Sequence, residues 1–261
     1  MILAIILTFN EEIHIKRCIE NCKNFADRII IIDSLSTDKT KDLCLALGCE
    51  VFERNFTTHA EQFNWLLSKI NAKNSDWIVR LDADEYFDSE AIQCIRNLDL
   101  KKSEILGYKV NRKISFKNKV LNYGGFQRNY ILRIFRYGYG RSNDRVMDEH
   151  IIVRGATALM SGNIIDDCQK GLDFWILKHV RYANREVEAV RSERLNKSEK
   201  SLKKKIFDTI PMSIRAILYF LYRYFLLRGF RDGLPGLQYA LLQALWYRTL
   251  VDALILEADN E

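Results

Sequence analysis

Two carboxylates, separated by a single residue, lie at the end of a predicted strand. Asp82 and Asp84 follow the apolar run 77–81, and strand residues two apart point to the same side. Carboxylate oxygens are hard ligands that suit Mg²⁺ or Mn²⁺, and such an ion can bridge a protein to a diphosphate. The pattern predicts a divalent metal site, with a solvated acidic turn as the alternative.

Polar residues also follow the other predicted strands of the first hundred residues. Because ligands of an open parallel sheet bind at the carboxyl ends of its strands, these residues are candidates for the same site. They are Thr8, Asn10 and Glu11 after the first strand and Asp33, Ser34 and Ser36 after the second. Gln62 and Asn64 either face a ligand or lie on a solvated helix face. Arg80 pairs either with a ligand or with Asp82.

Several classes of protein are excluded by what the sequence lacks. No glycine precedes Gly48, so neither a G-x-G-x-x-G turn nor a P-loop can follow the first strand. Dinucleotide-dependent dehydrogenases and P-loop NTPases are therefore ruled out. The six cysteines and four histidines show no metal-site spacing. No module of alternating basic and aromatic residues is present, so nucleic acid is not an expected partner.

Strand and helix patterns alternate along the first hundred residues. Apolar runs predict strands at 2–7, 29–32, 51–52 and 77–81. Helical spacing predicts helices at 11–25, 38–47, 59–70 and 89–98, with Thr37 or Asp38 capping the second and Ser89 the fourth. Later strands are predicted at 108–112, 130–135 and 151–153, and a long helix at 172–202. This alternation indicates an α/β fold with a mainly parallel sheet.

Charge is distributed unevenly. Between Lys178 and Arg231 there are fourteen Lys and Arg against five Asp and Glu, whereas the whole chain carries +6. Apolar and aromatic helices are predicted at 214–227 and 237–256, each too short or too interrupted to span a bilayer. A basic, aromatic helical pair is typical of a membrane interface, so we predict contact with an anionic membrane surface. The alternative is packing on the domain or on a second copy, which would give a homodimer.

Five motifs, in order along the chain, resemble those of family 2 glycosyltransferases. They are LTFNEE at 7–12, IDSLSTDKT at 32–40, RLDADE at 80–85, MDEH at 147–150 and KHVRYA at 178–183. Members usually carry glycine where this chain has Leu35, so the turn there is an open question. The last motif and the basic C-terminal helices resemble a bacterial subgroup that includes lipopolysaccharide-core glucosyltransferases and related surface-polysaccharide enzymes.

The resemblance implies a GT-A fold, a mixed and mainly parallel sheet flanked by helices, and a sugar donor linked to a nucleotide, usually UDP. It implies that Thr8 and Asp33 contact the base and ribose. It places Asp82 on the ribose and metal-bound water and Asp84 on Mg²⁺ or Mn²⁺. The further donor-site candidates are Asn10, Glu11, Gln62, Arg80, Ala83 and Arg181.

The resemblance also implies an inverting transfer, which is a single in-line displacement. One carboxylate must then take the proton of the acceptor hydroxyl, and Glu149 or Asp148 would be this general base. Glu149 pairs instead with a nearby arginine if it has no catalytic role. Arg181 and His179 are candidates to assist the leaving diphosphate.

We therefore expect a bacterial enzyme that transfers a sugar to a lipid-linked or lipopolysaccharide glycan. It would be cytoplasmic and peripherally associated with the inner face of the cytoplasmic membrane, through a C-terminal helical membrane-associating extension. Segment 1–100 would bind the nucleotide-sugar, 101–205 would bind the acceptor and carry the base, and 206–261 would form amphipathic helices. The alternatives are a catalytically silent scaffold on the membrane and a nucleotidyltransferase that makes sugar nucleotides.

Overall fold

A computed structural model describes residues 1–98, 104–143, 150–195 and 210–259. The chain divides into two compact units. The sheet unit comprises Met1–Ser115 and Arg128–Gln169, and the helical unit comprises Phe116–Gln127 and Lys170–Glu261. The three functional segments predicted from the sequence stay a prediction.

One large sheet organises the sheet unit. Its strands are β1 Ile2–Thr8, β2 Arg28–Asp33, β3 Glu50–Glu53, β4 Trp77–Asp82, β5 Glu85–Phe87, β6 Ile105–Phe116, β8 Tyr130–Arg136 and β11 Ala156–Asp166. The short strand β7, Lys119–Val120, falls in the range of the helical unit. The order across the sheet is β3-β2-β1-β4-β8-β6-β11-β5. A separate two-stranded pair joins β9 Gly140–Ser142 to β10 Ile151–Val153.

The first four strands run parallel, and this aligns their carboxyl ends. Thr8 of β1 stands beside Asp33 of β2, and Leu7 stands beside Asp82 of β4. Strand β8 runs antiparallel to both β4 and β6. The polar residues that follow β1, β2 and β4 consequently meet at one edge, as the sequence predicted.

Helices cover both faces of the sheet. They are α1 Ile15–Cys22, α2 Thr40–Ala46, α3 His59–Lys69 and α4 Ser89–Arg96. Alternate residues of β1 point to opposite faces, and every one of them is buried. One face packs against α1, α2 and α4, and the other packs against Phe63 and Leu66 of α3. A strand buried on both faces needs a continuous apolar run, which explains why β1 does not alternate.

Two predicted helix starts need correction. The fourth helix is capped by Asp88, not Ser89, because the Asp88 carboxylate accepts the N–H of Ala91 at 2.8 Å. The second helix begins at Thr40 with Lys39 at its N-cap position, so neither Thr37 nor Asp38 is its N-cap. Asp38 still accepts the N–H of Thr40 at 2.9 Å. Asp and Ser are similar capping residues, so the sequence alone does not distinguish adjacent candidates.

The helical unit contains the C-terminal extension. Its elements are α5 Gly171–Leu195, α6 Met212–Leu221, a π-helical turn at Tyr222–Leu226, a 3₁₀ turn at Gly229–Asp232, α7 Gly233–Ala240, a second π-helical stretch at Leu241–Trp246 and α8 Tyr247–Asp259. Ala183 and Val187 of α5 pack against Val251 and Ile255 of α8. The predicted helix 172–202 is confirmed as far as residue 195, and its last residues lie outside the described chain.

The predicted fold class is confirmed: an α/β, GT-A-like arrangement with a mixed sheet, flanking helices and a C-terminal helical extension. Across the described ranges, no helix is both long enough and apolar enough to cross a membrane. Membrane association of the extension stays a prediction.

Candidate functional site

Asp33 closes the end of β2 by accepting hydrogen bonds from neutral donors. It accepts the Thr8 hydroxyl at 2.7 Å, the Ser36 N–H at 2.7 Å and the Ser36 hydroxyl at 2.6 Å. Asp33 is only 1% exposed and Thr8 only 4%. Both predicted nucleotide contacts thus lie at the edge of the site, where they hold the loop after β2 against the end of β1.

The loop after β1 is fixed by the same kind of contacts. Asn10 has a positive φ of 54°, and its side-chain oxygen accepts the N–H of Thr37 at 2.8 Å. Glu11 lies 2.5 Å from Nδ1 of His14, whose Nε2 accepts the N–H of Gln169 at 2.7 Å. Because Nε2 is an acceptor, the proton of His14 lies on Nδ1 and points at Glu11. Asn10 and Glu11 therefore lie in a preformed loop at the candidate site.

Leu35 occupies the turn where the family resemblance led us to expect glycine. Its φ is +63°, in the left-handed region, and 45% of the residue is exposed. The glycine-type turn is therefore retained with a leucine in it, at a conformational cost. Leu35 and Phe9, which is 55% exposed, place apolar side chains on the loops that follow β2 and β1.

Gln62 and Asn64 of α3 support loops. Gln62 is 1% exposed and donates its amide to the Ser34 hydroxyl at 2.7 Å. Asn64 donates to the Ser142 carbonyl and accepts the Ser142 N–H, both at 2.9 Å. Gln62 thus reaches the loop after β2, and Asn64 fixes β9.

Asp82 and Asp84 flank a tight turn between β4 and β5. Asp82 ends β4, whereas Asp84 lies in the turn, so the strand alternation assumed from the sequence does not apply to it. Exposure nevertheless alternates: Asp82 and Asp84 are half-buried, and Ala83 and Glu85 are buried. The backbone carbonyl of Asp84 accepts the N–H of Asp167 at 3.0 Å, which anchors the turn. Both predicted metal ligands are partly accessible from a fixed turn.

Arginines surround the Asp82 carboxylate. Its oxygens lie 3.4 Å from Arg80 and 3.2 Å from Arg133, and its side chain is 34% exposed. Burial raises the pKa of Asp82, but Arg133 and then Arg80 outweigh burial and hold that pKa below its ordinary value of 3.8. Asp82 is therefore ionised across the physiological range while part of it stays open to a ligand.

Glu85 links Asp82 and Arg133 to a further arginine, Arg112. It is fully buried, and its Oε1 accepts from Arg133 at 2.8 Å and from Arg112 at 3.0 Å. Arg112 also donates to Asp166 at 2.6 Å. The other Glu85 oxygen accepts the N–H of Asp82 at 3.1 Å. One buried carboxylate thus aligns both the backbone and the charge environment of Asp82.

The sequence pattern alone does not single out Glu85, Arg112 and Arg133 as functional residues. A usable signal exists for Arg133, which lies between Leu132 and Ile134 in an apolar strand. An arginine in such a run requires a buried acidic partner. Glu85, beside the paired aspartates, is that partner 48 residues away.

The paired aspartates fit an ion that is shared with a substrate. In the described ranges, no group of three or more His, Cys, Asp or Glu could hold a metal by itself. Mg²⁺ commonly takes one or two carboxylates from the protein and its other ligands from phosphates and water. Asp82 and Asp84 supply that number.

Three predicted site residues stay predictions. Asp148 and Glu149 lie outside the described residues. On either side of that segment, Asn143 and His150 bond to each other, with N···O distances of 3.0 Å and 2.9 Å. Arg181 lies exposed on α5 of the helical unit.

Curated relatives resemble the chain to different extents. The lipopolysaccharide core biosynthesis glycosyltransferase LpsC of Rhizobium meliloti is 27% identical over 92% of this chain and 89% of its own length. An uncharacterized glycosyltransferase of Rickettsia bellii is 39% identical over 33% of this chain. That match spans only 29% of the Rickettsia protein.

Solved structures with similarity to the chain include two sugar transferases. The mannosyltransferase PcManGT of Pyrobaculum calidifontis, in complex with GDP-Man and Mn²⁺, covers 99% of this chain and 74% of its own, with 14% identity and a TM-score of 0.49. Glucosyl-3-phosphoglycerate synthase of Mycobacterium tuberculosis, in complex with Mn²⁺, UDP and its product, covers 44% of each chain with 21% identity and a TM-score of 0.35.

The family assignment depends on a longer match. The model of glycosyl transferase family 2 matches residues 3–151, which is more than half of the chain and includes β1, β2, β4 and the turn that carries Asp84. The chain therefore belongs to glycosyl transferase family 2.

Proposed function

We propose that the protein transfers a sugar, with inversion, from a UDP-linked donor to a lipopolysaccharide or lipid-linked glycan, using Mg²⁺ or Mn²⁺. The observation that carries the proposal is the partly exposed pair of Asp82 and Asp84 at the carboxyl edge of the sheet, with Asp82 held ionised by Arg80 and Arg133. An ionised pair on a fixed turn is suited to a metal-bound diphosphate.

The donor nucleoside would lie along the loops that follow β1 and β2. Thr8 and Asp33 form the floor, and Asn10 and Glu11 shape the adjoining loop. Phe9 and Leu35 are accessible apolar side chains that suit a planar base. Arg80, Asp82 and Ala83 would border the ribose side, and Gln62 would support the Ser34 loop.

The metal would be held by Asp84 together with Asp82 and would neutralise the charge that develops on the leaving diphosphate. Glu149, or its neighbour Asp148, would take the proton from the acceptor hydroxyl as that oxygen bonds to the anomeric carbon. Arg181 is kept as the candidate cation for the diphosphate on the basis of its sequence motif.

The acceptor class is supported by the relative that aligns along most of the chain. LpsC acts in lipopolysaccharide core biosynthesis, as its name states, and it matches 92% of this chain. A lipid-borne glycan would place the enzyme at the inner face of the cytoplasmic membrane, with residues 206–261 toward the lipid. In this scheme residues 1–100 bind the donor and 101–205 bind the acceptor.

A thermal-shift panel tests the donor step. UDP-, GDP-, dTDP- and CMP-linked sugars are each added with and without Mn²⁺, since a ligand that binds the folded state raises the melting temperature. We expect UDP-sugars to stabilise the protein only with Mn²⁺, and Asp84→Ala to abolish the shift. Glu90→Ala, which removes an exposed acid from α4, is the matched control and should keep it.

A turnover assay distinguishes a sugar transferase from a silent scaffold and from a nucleotidyltransferase. Release of UDP from UDP-sugar with Mn²⁺, dependent on Asp84, would exclude a silent scaffold. Formation of a sugar nucleotide from a sugar phosphate and a nucleoside triphosphate would instead indicate a nucleotidyltransferase. The proposal fails if no nucleotide sugar binds or turns over with metal and a lipopolysaccharide-derived acceptor both present.

A further inference from the structure

The helical unit exposes a continuous set of large apolar side chains from α6 to the start of α7. We call this set the apolar strip: Ile214, Ile217, Leu218, Leu221, Tyr222, Phe225, Leu226, Phe230 and Leu234. Exposure is highest near the turn, with Leu226 at 74% and Leu234 at 65%. Scattered exposed leucines are ordinary, but a contiguous apolar set of this length marks an interaction surface.

The polarity of α6 and the turn after it is inverted relative to a helix on a water-soluble surface. Arg215 and Arg223 point inward and are 6% and 8% exposed, while the apolar residues around them point outward. Arg215 lies 3.6 Å from Asp252 of α8. A helix that faces water normally presents its charged side to solvent. The outward side of this helix is therefore suited to an apolar medium.

Buried contacts hold the turn of the apolar strip in place. Arg223 donates from Nε to the Gly124 carbonyl at 2.7 Å, bonds to Gln243, and lies 4.8 Å from the ring of Phe126. The N–H of Gly124 in turn donates to the Leu227 carbonyl at 2.9 Å. Phe225 and Leu226 are thus presented on a preformed turn, so little ordering is required when they become buried.

The exposed charges of this segment have one sign. Between residues 214 and 234 the exposed charged side chains are Arg228 and Arg231, which flank the 3₁₀ turn. The one acid in that range is Asp232, which is 2% exposed and accepts the N–H groups of Asn122 and Tyr123. Removing this carboxylate from the surface leaves an apolar strip with a positive rim.

We infer that the apolar strip is a membrane-docking surface, in which α6 and the following turns lie in the plane of an anionic bilayer. Apolar side chains enter the boundary between headgroups and acyl chains, and Arg228 and Arg231 contact anionic headgroups. The inference deepens the proposed function by assigning its membrane contact to named residues. Its test does not measure turnover, so the docking surface and the proposed function can each fail while the other holds.

Vesicle binding tests the inference. The full-length protein is sedimented with phosphatidylcholine vesicles that do or do not contain phosphatidylglycerol. We expect Arg228→Gln with Arg231→Gln to weaken binding to the anionic vesicles about 30-fold at low salt, at about 1 kcal/mol per arginine. Phe225→Ser with Leu226→Ser should weaken it at least about tenfold, through lost apolar burial.

Leu159→Ser is the matched control, because Leu159 of the sheet unit is 62% exposed, comparable to Leu226. It should bind vesicles like the parent protein. Melting temperatures, and the donor-induced shift with Mn²⁺, should be unchanged in all variants, since the altered side chains are exposed. Loss of vesicle binding with an intact donor shift supports the docking surface, whereas absence of a donor shift in the parent protein counts against the proposed function.

Two results would overturn the inference. One is anionic-vesicle binding that is absent in the parent protein or identical in the parent and both double variants. The other is a concentration-dependent dimer, seen by analytical ultracentrifugation, that Phe225→Ser with Leu226→Ser dissociates while vesicle binding persists. The second result would assign the apolar strip to pairing between two copies of the chain.

Discussion

Two aspartates end neighbouring parts of the same sheet edge, and they are stabilised in different ways. Asp33 is 1% exposed and accepts from hydroxyl and amide groups, whereas the Asp82 side chain is 34% exposed and faces two arginines. Three neutral donors occupy most of the acceptor sites of Asp33 and hold it in the loop. Arginines that fix the charge of Asp82 leave part of its surface free.

The difference distinguishes a residue that shapes the site from a residue that is placed to bind the ligand. Asp33 determines the shape of the loop after β2, so its loss should first change stability. Asp82 is positioned by a network behind it, so its loss should first change ligand binding. The network itself depends on Glu85, which is fully buried and pairs with buried Arg133 and half-buried Arg112.

The largest effect is expected from Glu85→Gln. The change removes the carboxylate that buried Arg133 shares with half-buried Arg112, and breaking a buried ion pair in this way costs about 3–5 kcal/mol. Urea unfolding measures it. Glu90→Gln on the exposed face of α4 should stay within about 0.5 kcal/mol of the parent. A loss below about 1 kcal/mol for Glu85→Gln would show that the ion pairs of Glu85 contribute little to stability.

A smaller loss of stability is expected from Asp33→Asn. The amide replaces one acceptor oxygen with a donor that faces Ser36, and leaving buried partners unsatisfied costs about 1–3 kcal/mol. Asp82→Asn should lose less stability and more donor binding, because its oxygens are partly exposed. Comparing urea midpoints with donor-induced thermal shifts tests the contrast. Equal losses in both measurements for both variants would contradict it.

The placement of these two aspartates could be predicted from the sequence, but their partners could not. Apolar runs locate β1, β2 and β4, and parallel pairing then brings Thr8, Asp33 and Asp82 to one edge. The partners of Asp82 depend on the pairing of β8 with β4 and β6, which joins residues dozens of positions apart. Local periodicity carries no information about such registers.

The cap of α4 and the orientation of α6 also depend on contacts that local sequence does not specify. Asp88 and Ser89 are adjacent and similar in capping strength, and only backbone geometry selects Asp88. The amphipathic pattern of α6 and the turn after it predicts a helix, but not that Arg215 and Arg223 turn inward. That depends on Asp252 and Gly124, which lie elsewhere in the chain.

The pH dependence of stability should distinguish Asp82 by its sign. Its pKa in the folded protein is below the ordinary value of 3.8, so its contribution to stability is present above about that pH and lost as pH falls. The difference in unfolding free energy between the parent and Asp82→Asn should therefore shrink as pH is lowered from 6 toward about 3. Urea unfolding at each pH measures it. A difference that grows in acid would mean that the arginines do not stabilise the charged form.

The smallest effect is expected from Leu35, in the loop after β2. Leu35 has a φ of +63°, which costs an L-residue about 1–2 kcal/mol, while glycine loses about 0.5–1 kcal/mol more on folding through its greater freedom when unfolded. Leu35→Gly should therefore stabilise the protein by about 0.5–1 kcal/mol, as measured by urea unfolding. Leu45→Gly is the control, since Leu45 is 53% exposed within α2 and its change should destabilise by about 1 kcal/mol. If both variants lose stability alike, exposed Leu35 contributes packing that outweighs its backbone strain, and the loop after β2 is held by more than the hydrogen bonds of Asp33.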